Sequence, residues 1–178
     1  MILFLLVRPL SHIRQRHIND CGIAAAAIAA NVPYETAAAH SPARPGERGV
    51  GTQEIVPLLE CLTNTDWRTP ETGWFHPVFR LIKTDELLVL VIRHRKWSGP
   101  SHYITVKGGW VYDPAFPTRY RIENYPRGNW HVLLRIRPGR QSETGWIADR
   151  LKLVGSALIV FFAIWIPIVF GSWLFGAK

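Results

Sequence analysis

Three residues of the types used in thiol catalysis are Cys21, His102 and Asp113. Cys21 opens the Ala-rich run CGIAAAAIAANV, which predicts a helix because Ala is the strongest helix former. A cysteine at a helix N-terminus lies near the positive end of the helix dipole and beside unbonded N–H groups, which favour the nucleophilic thiolate. The preceding Asp20 is expected to cap the helix. Alone, such a cysteine is more often a small buried residue, so its assignment depends on partners.

His102 and Asp113 are the partners that the sequence offers. His102 opens the apolar run HYITV, and Asp113 ends the run WVYDP, with Gly108-Gly109 between them. Two short strands around a Gly-Gly pair predict a β-hairpin. The hairpin would place the two side chains together across paired strands. His102 would then be the general base toward Cys21, and Asp113 would orient the imidazole.

Gln15 stands six residues before Cys21. A side-chain amide upstream of a thiol nucleophile can help to hold the oxyanion, together with the backbone N–H of the nucleophile. Donors of this kind act where charge develops in the transition state. We expect Gln15 to be such a donor, although a glutamine taken alone is more often a plain surface residue.

The elements around these residues predict an α+β domain over residues 1–137. From Cys21 to about Leu62 the patterns are helical, and Thr52 is expected to cap a helix that ends near Leu62. From about Glu86 onward the apolar runs are short and strand-like. Helices followed by strands predict helices packed on an antiparallel sheet.

Gln15, Asp20-Cys21-Gly22, His102-Tyr103 and Asp113-Pro114 together resemble the bacteriocin-processing cysteine peptidases. The resemblance implies a papain-like α+β fold with a Cys-His-Asp triad. Members of that family cut after a double-glycine leader and precede a peptide-exporting transporter. The segment GVGTQEIVPLLECL also resembles the helix with which that family selects its leader. No transporter core follows here, so the double-glycine substrate is not implied.

Three functions remain open on these residues. The first is a cysteine peptidase that forms a thioester intermediate. The second is a cell-wall peptide hydrolase of the NlpC/P60 or CHAP type, carried by a cell or a virus particle, in which the third polar residue is often a second histidine. The third is a catalytically silent module that only binds peptides, as some members of the leader-peptidase family do.

The remaining cysteine and histidines do not indicate a cofactor. Cys61 is expected on the apolar face of a helix, as a core residue. His76, His94 and His131 show no metal-ligand spacing, so neither a metal nor another cofactor is expected. The formal net charge is +8, but the basic residues are dispersed. Nucleic acid is therefore not an expected partner, whereas a solvated basic face and attraction to an anionic membrane both remain open.

Residues 153–177 read LVGSALIVFFAIWIPIVFGSWLFGA and contain no charge. About 20 apolar residues span a bilayer as a helix, so this segment predicts a single C-terminal transmembrane helix after a linker at residues 138–152. Basic residues are concentrated before the segment, which predicts a cytoplasmic catalytic domain. The expected partners are a lipid membrane, a membrane protein and a peptide or protein substrate.

Overall fold

The computed structural model describes residues 10–69, 72–81, 85–96 and 99–139. Within them, three α-helices pack on an antiparallel sheet, so the predicted α+β class is confirmed. The helices are α1 (Cys21–Ala30), α2 (Tyr34–His40) and α3 (Ile55–Thr63). The strands are β1 (Trp67–Arg68), β2 (Thr72–Pro77), β3 (Leu88–Arg93), β4 (His102–Lys107), β5 (Trp110–Tyr112), β6 (Tyr120–Arg121) and β7 (His131–Pro138). Short 3₁₀ helices lie at Val78–Leu81 and Ile122–Asn124.

The strands lie in the order β1-β7-β3-β4-β5-β6, and β2 also pairs with β7. The sequence patterns predict strands only from about Glu86 onward, but β1 and β2 lie before that residue. β1 and β2 both pair with β7, which is distant in sequence. Pairing with β7, and not local propensity, holds these two strands in place. The sequence around them therefore shows no clear strand pattern.

Helix α1 is buried on every side, with buried residues running from Gly22 to Ala29. A helix that is apolar all round belongs in a core, and the small alanine side chains let neighbouring elements approach it closely. The helix ends at Asn31, which takes a left-handed conformation with φ of 54°. Its N–H group then bonds back to the carbonyls of Ala27 and Ile28.

Helix α3 buries Ile55, Leu58 and Leu59. Cys61 is exposed, so the prediction that it is a core residue was wrong. Position 61 falls outside the stripe of positions 55, 58, 59 and 62, because one helical residue turns by about 100°. Thr52 does not cap this helix, which begins three residues later and has Glu54 at its N-cap position, without a side-chain cap.

The sheet has an apolar cluster on each face. Val89 and Val91 of β3 join the cluster that contains α1, whereas Leu88 and Leu90 join the cluster on the opposite face. This alternation follows from the two-residue period of a strand. It explains why β3 reads as one continuous apolar run, since both of its faces are buried.

The predicted hairpin is formed by β4 and β5. Gly108 and Gly109 form its turn with φ values of 56° and 73°, a region that glycine enters without strain. Thr105 in β4 donates a hydrogen bond of 2.9 Å to the carbonyl oxygen of Ala25 in α1. Since both groups are buried, this bond fixes the hairpin against the helix.

Among the described residues, no helix is long and apolar enough to cross a membrane. The apolar segment at residues 153–177 lies outside the described residues, as do most of the linker and the apolar residues 1–7. The membrane helix therefore stays a prediction.

Candidate active site

Cys21 is the first residue of α1 and is partly exposed. At a helix start its backbone N–H has no acceptor within the helix. Gly22 packs against Val50, since a Cβ at position 22 would lie 2.9 Å from the Val50 Cβ atom. No larger residue fits there without displacing that neighbour. The close packing sets where Cys21 emerges from the protein surface.

Asp20 does not cap α1 through its side chain, contrary to our expectation. Its fully buried carboxylate instead accepts hydrogen bonds from the backbone N–H groups of His17 and Gly46, at 3.2 and 2.9 Å, and from the Tyr34 hydroxyl at 2.5 Å. The carboxylate thus joins α2 and two loops behind Cys21. The site needs this aspartate to hold the turn that carries the cysteine.

His102 is the first residue of β4, and its side chain is only 13% exposed. Its Nε2 atom lies 2.5 Å from Oδ1 of Asp113. Nδ1 is therefore the nitrogen left for Cys21, which lines the same cleft. Burial lowers the pKa of His102, but the hydrogen bonds with Asp113 and Cys21 and their charges outweigh it and raise this pKa to about 9.

Asp113 follows β5 directly and has no solvent exposure. Besides His102, three described groups donate to it: the Ala115 backbone N–H at 2.8 Å, the Tyr125 hydroxyl at 2.7 Å and Nη1 of Arg127 at 2.9 Å. Burial raises the pKa of Asp113, but the bond and charge of His102 and the bonds from Tyr125 and Ala115 keep it below its usual value. The site therefore holds an anionic carboxylate beside the imidazole.

Gln15 lies on the loop before α1, and its backbone N–H donates to the carbonyl of Pro114 at 3.0 Å. This bond links the Gln15 loop to the residue after Asp113. The Gln15 side chain lines the same cleft as Cys21 and His102. Its Nε2 atom makes only a long contact of 3.4 Å with the Ile18 carbonyl, and its buried Oε1 atom has no partner among the described residues. The side-chain amide of Gln15 therefore makes no strong hydrogen bond to the described residues.

A cleft of about 390 Å³ joins these residues. Its described lining residues are Gln15, Ile18, Asn19, Cys21, Gly49, Val50, Pro100, Ser101, His102, Tyr103, Ala115, Arg127 and Trp130. Asp113 is fully buried and contacts His102 without being one of these lining residues. The structure thus brings the four residues singled out from the sequence to one place.

The sequence patterns did not point to Arg127 or Tyr125, and Tyr103 entered only as part of the His102-Tyr103 motif, without a role of its own. Arg127 and Tyr125 hold Asp113 from a loop that has no regular pattern, so no local signal marks them. Tyr103 follows His102, and its buried hydroxyl has no partner among the described residues. Burial raises the pKa of Tyr103, and the charges of Cys21 and Glu54 raise it further. Its hydroxyl therefore stays protonated and is available as a donor at this cleft.

The described residues contain no group of three or more His, Cys, Asp or Glu side chains that could hold a metal ion. Among the described residues that line the cleft, Cys21 carries the thiol and His102 the imidazole. The arrangement can therefore support nucleophilic attack by Cys21 assisted by His102.

Comparison of the chain with models of protein families and with curated protein sequences found no match.

Proposed function

We propose that this protein is a papain-like cysteine peptidase that hydrolyses a peptide bond through Cys21, His102 and Asp113. The observation that carries the proposal is the contact between His102 and Asp113 at the cleft that Cys21 also lines. A nucleophile, a base at the same cleft and a third group that orients the base are the arrangement expected of covalent catalysis.

In the acylation step, the Cys21 sulfur attacks the carbonyl carbon of the substrate. A C–S bond forms, and the negative charge on the carbonyl oxygen is stabilised by the Cys21 backbone N–H and the Gln15 amide. The tetrahedral intermediate collapses as the C–N bond breaks. His102 gives the proton on Nδ1 to the departing amine, which leaves a thioester on Cys21 and a neutral imidazole.

In the deacylation step, His102 takes a proton from water through Nδ1, and the water oxygen attacks the thioester carbon. The C–S bond then breaks, and the carboxylic acid product and the Cys21 thiolate are released. Asp113 stays ionised throughout, because its carboxylate is held by His102, Tyr125 and Arg127. Its role is to fix the imidazole and to stabilise the imidazolium.

The proposal includes attachment to a membrane through residues 153–177, with the catalytic domain on the cytoplasmic side. The apolar length of this segment and the basic residues before it support this part of the proposal. A tethered peptidase would meet substrates or partner proteins at the same membrane.

Thiol labelling tests the proposal sharply, since the chain has two cysteines and the less exposed one is the candidate nucleophile. Brief treatment of full-length protein with iodoacetamide, followed by mass spectrometry, should modify Cys21 faster than the exposed Cys61. His102→Ala should remove this preference. A peptide-digestion assay should then show that Cys21→Ala abolishes cleavage, with Cys61→Ala as the matched control that retains it.

Preferential labelling of Cys61, or cleavage that survives Cys21→Ala, would reject the proposed function. Selective labelling of Cys21 without hydrolysis of any peptide would instead favour a module that binds peptides without cutting them.

A further inference from the structure

A second pocket, which we name the basic pocket, lies beside the catalytic cleft. It has a volume of about 400 Å³ and is lined by Arg93, His94, Arg95, His131 and Leu133. Arg93 is the last residue of β3 and pairs in register with His131, the first residue of β7. Two neighbouring strands therefore bring cationic and imidazole side chains to the same end of the sheet.

Among the described residues, the basic pocket has no acidic side chain in its lining. None of the ion pairs found among the described residues involves Arg93 or Arg95. The Nδ1 atom of His131 is buried and has no hydrogen-bond partner within the described part of the chain. Two exposed guanidinium groups and an unsatisfied imidazole nitrogen together suit a carboxylate, which Arg binds in a bidentate manner.

Trp130 connects this pocket to the catalytic cleft. Its ring lines the cleft and makes an edge contact with the His94 ring, with 6.0 Å between the centroids. On the other side, the Arg127 guanidinium lies 4.8 Å from the Trp130 ring centroid and bonds to Asp113. A line of side-chain contacts thus runs from the buried Asp113 through Arg127 and Trp130 to His94 in the basic pocket.

The chemistry of cleavage decides which part of a substrate would reach this surface. His102 must protonate the departing nitrogen, so the segment that follows the scissile bond leaves the cleft on the His102 side. Arg127 and Trp130 line the cleft together with His102. A leaving segment that passes His102 would therefore reach Trp130 and, beyond it, the basic pocket.

We propose that the basic pocket binds an acidic side chain or a terminal carboxylate in the substrate segment that follows the scissile bond. This inference rests on the proposed function and adds the substrate class: peptides with acidic residues on the leaving side. The contact between Trp130 of the cleft and His94 of the basic pocket favours a peptide over an anionic lipid headgroup, because a ligand of the basic pocket would then be continuous with a chain in the cleft.

Cleavage of a peptide library measures the preference directly. Full-length protein in detergent would digest proteome-derived peptides, and mass spectrometry would identify the residues on each side of the cut. We expect Asp and Glu to be enriched after the cut and this enrichment to disappear in the double variant Arg93→Gln/Arg95→Gln. The control Arg44→Gln/Lys107→Gln removes the same charge away from the basic pocket and should keep it. Cleavage without acidic enrichment would overturn the inference and leave the proposed function standing.

A binding experiment tests the pocket without catalysis. Fluorescein-labelled hexaglutamate should bind the Cys21→Ala protein, while hexaglutamine should not. Replacing both arginines should weaken binding about tenfold, which corresponds to about 1.4 kcal/mol. The charge-matched control should bind as before. If the Arg93→Gln/Arg95→Gln variant binds hexaglutamate as tightly as the control variant does, the basic pocket is not the binding site. The inference would also be overturned if binding to phosphatidylserine vesicles required Arg93 and Arg95 while binding to hexaglutamate did not.

Discussion

Arg127 donates from Nη1 to Oδ2 of the buried Asp113 at 2.9 Å, while His102 contacts the other carboxylate oxygen. One oxygen of the carboxylate thus contacts Arg127, which has a structural role, and the other contacts His102, the proposed base. Arg127 is about a quarter exposed and also packs on Phe116 and Trp130. It thus covers the side of Asp113 that faces away from the imidazole and supplies the buried anion with a permanent cation.

Replacing Arg127 should therefore destabilise the protein more than replacing an ordinary surface arginine. Arg127→Gln should lower the free energy of unfolding by about 1.5 kcal/mol, because a hydrogen bond to a buried charge is lost. Arg44→Gln, at an exposed ion pair, should change it by less than about 0.5 kcal/mol. Urea denaturation of both full-length variants measures the difference. Equal midpoints would show that Arg127 does not support Asp113.

Thr105 should act as a positioning residue, because its hydroxyl ties the strand of His102 to the helix of Cys21 through Ala25. Thr105→Val keeps the shape but loses the bond, which should cost about 1 kcal/mol of stability. We expect kcat to fall while KM changes little, because His102 and Cys21 are less firmly aligned. Val at the exposed Thr118 is the control. If Thr105→Val is as active as the control, the Thr105 hydroxyl does not help to position the site.

Activity should decline on the alkaline side as His102 loses its proton. Its pKa is raised to about 9 in the folded protein from 6.5 in an unfolded chain. The protonated imidazole therefore stabilises the fold fully below pH 6.5, and this contribution disappears as pH rises toward 9. We expect kcat/KM to fall above about pH 9, and Asp113→Asn should move that limb to lower pH. A limb that stays in place in Asp113→Asn would contradict the assigned coupling.

Gln15 should affect the transition state and not substrate affinity. Gln15→Ala should lower kcat by about 10²–10³, the usual cost of losing one oxyanion donor, with little change in KM. Gln15→Glu should lower kcat at least as much, because it keeps the size, removes the donor and adds a negative charge beside the oxyanion. Gln53→Ala, at an exposed turn, is the matched control. An increase in KM at unchanged kcat would assign Gln15 to ground-state binding instead.

The apolar segment at residues 153–177 should keep the full-length protein in membranes during carbonate extraction. The control variant Ile164→Asp/Ile168→Asp should be released more readily, because each aspartate near the centre of a membrane helix costs about 2.5–3.5 kcal/mol. Recovery of the unmodified protein in the supernatant would show that this segment is not a membrane anchor.

The sequence by itself determined the elements whose signals are local. The alanine run predicts α1, the paired glycines predict the turn between β4 and β5, and the apolar run of β3 predicts a buried strand. Each of these signals depends on neighbouring residues, either through propensity or through the period of side-chain burial. The candidates Cys21, His102 and Asp113 could be singled out because they stand at the ends of such elements.

Only the tertiary structure decided what the buried polar residues do. Asp20 ties loops together instead of capping its helix, and Asp113 depends on Arg127 and Tyr125 from a loop without periodicity. The short strand β1 likewise exists because β7 pairs with it across a long stretch of sequence. Such contacts satisfy the hydrogen-bonding needs of groups removed from water. Their partners are chosen by proximity in the fold, which no local pattern records.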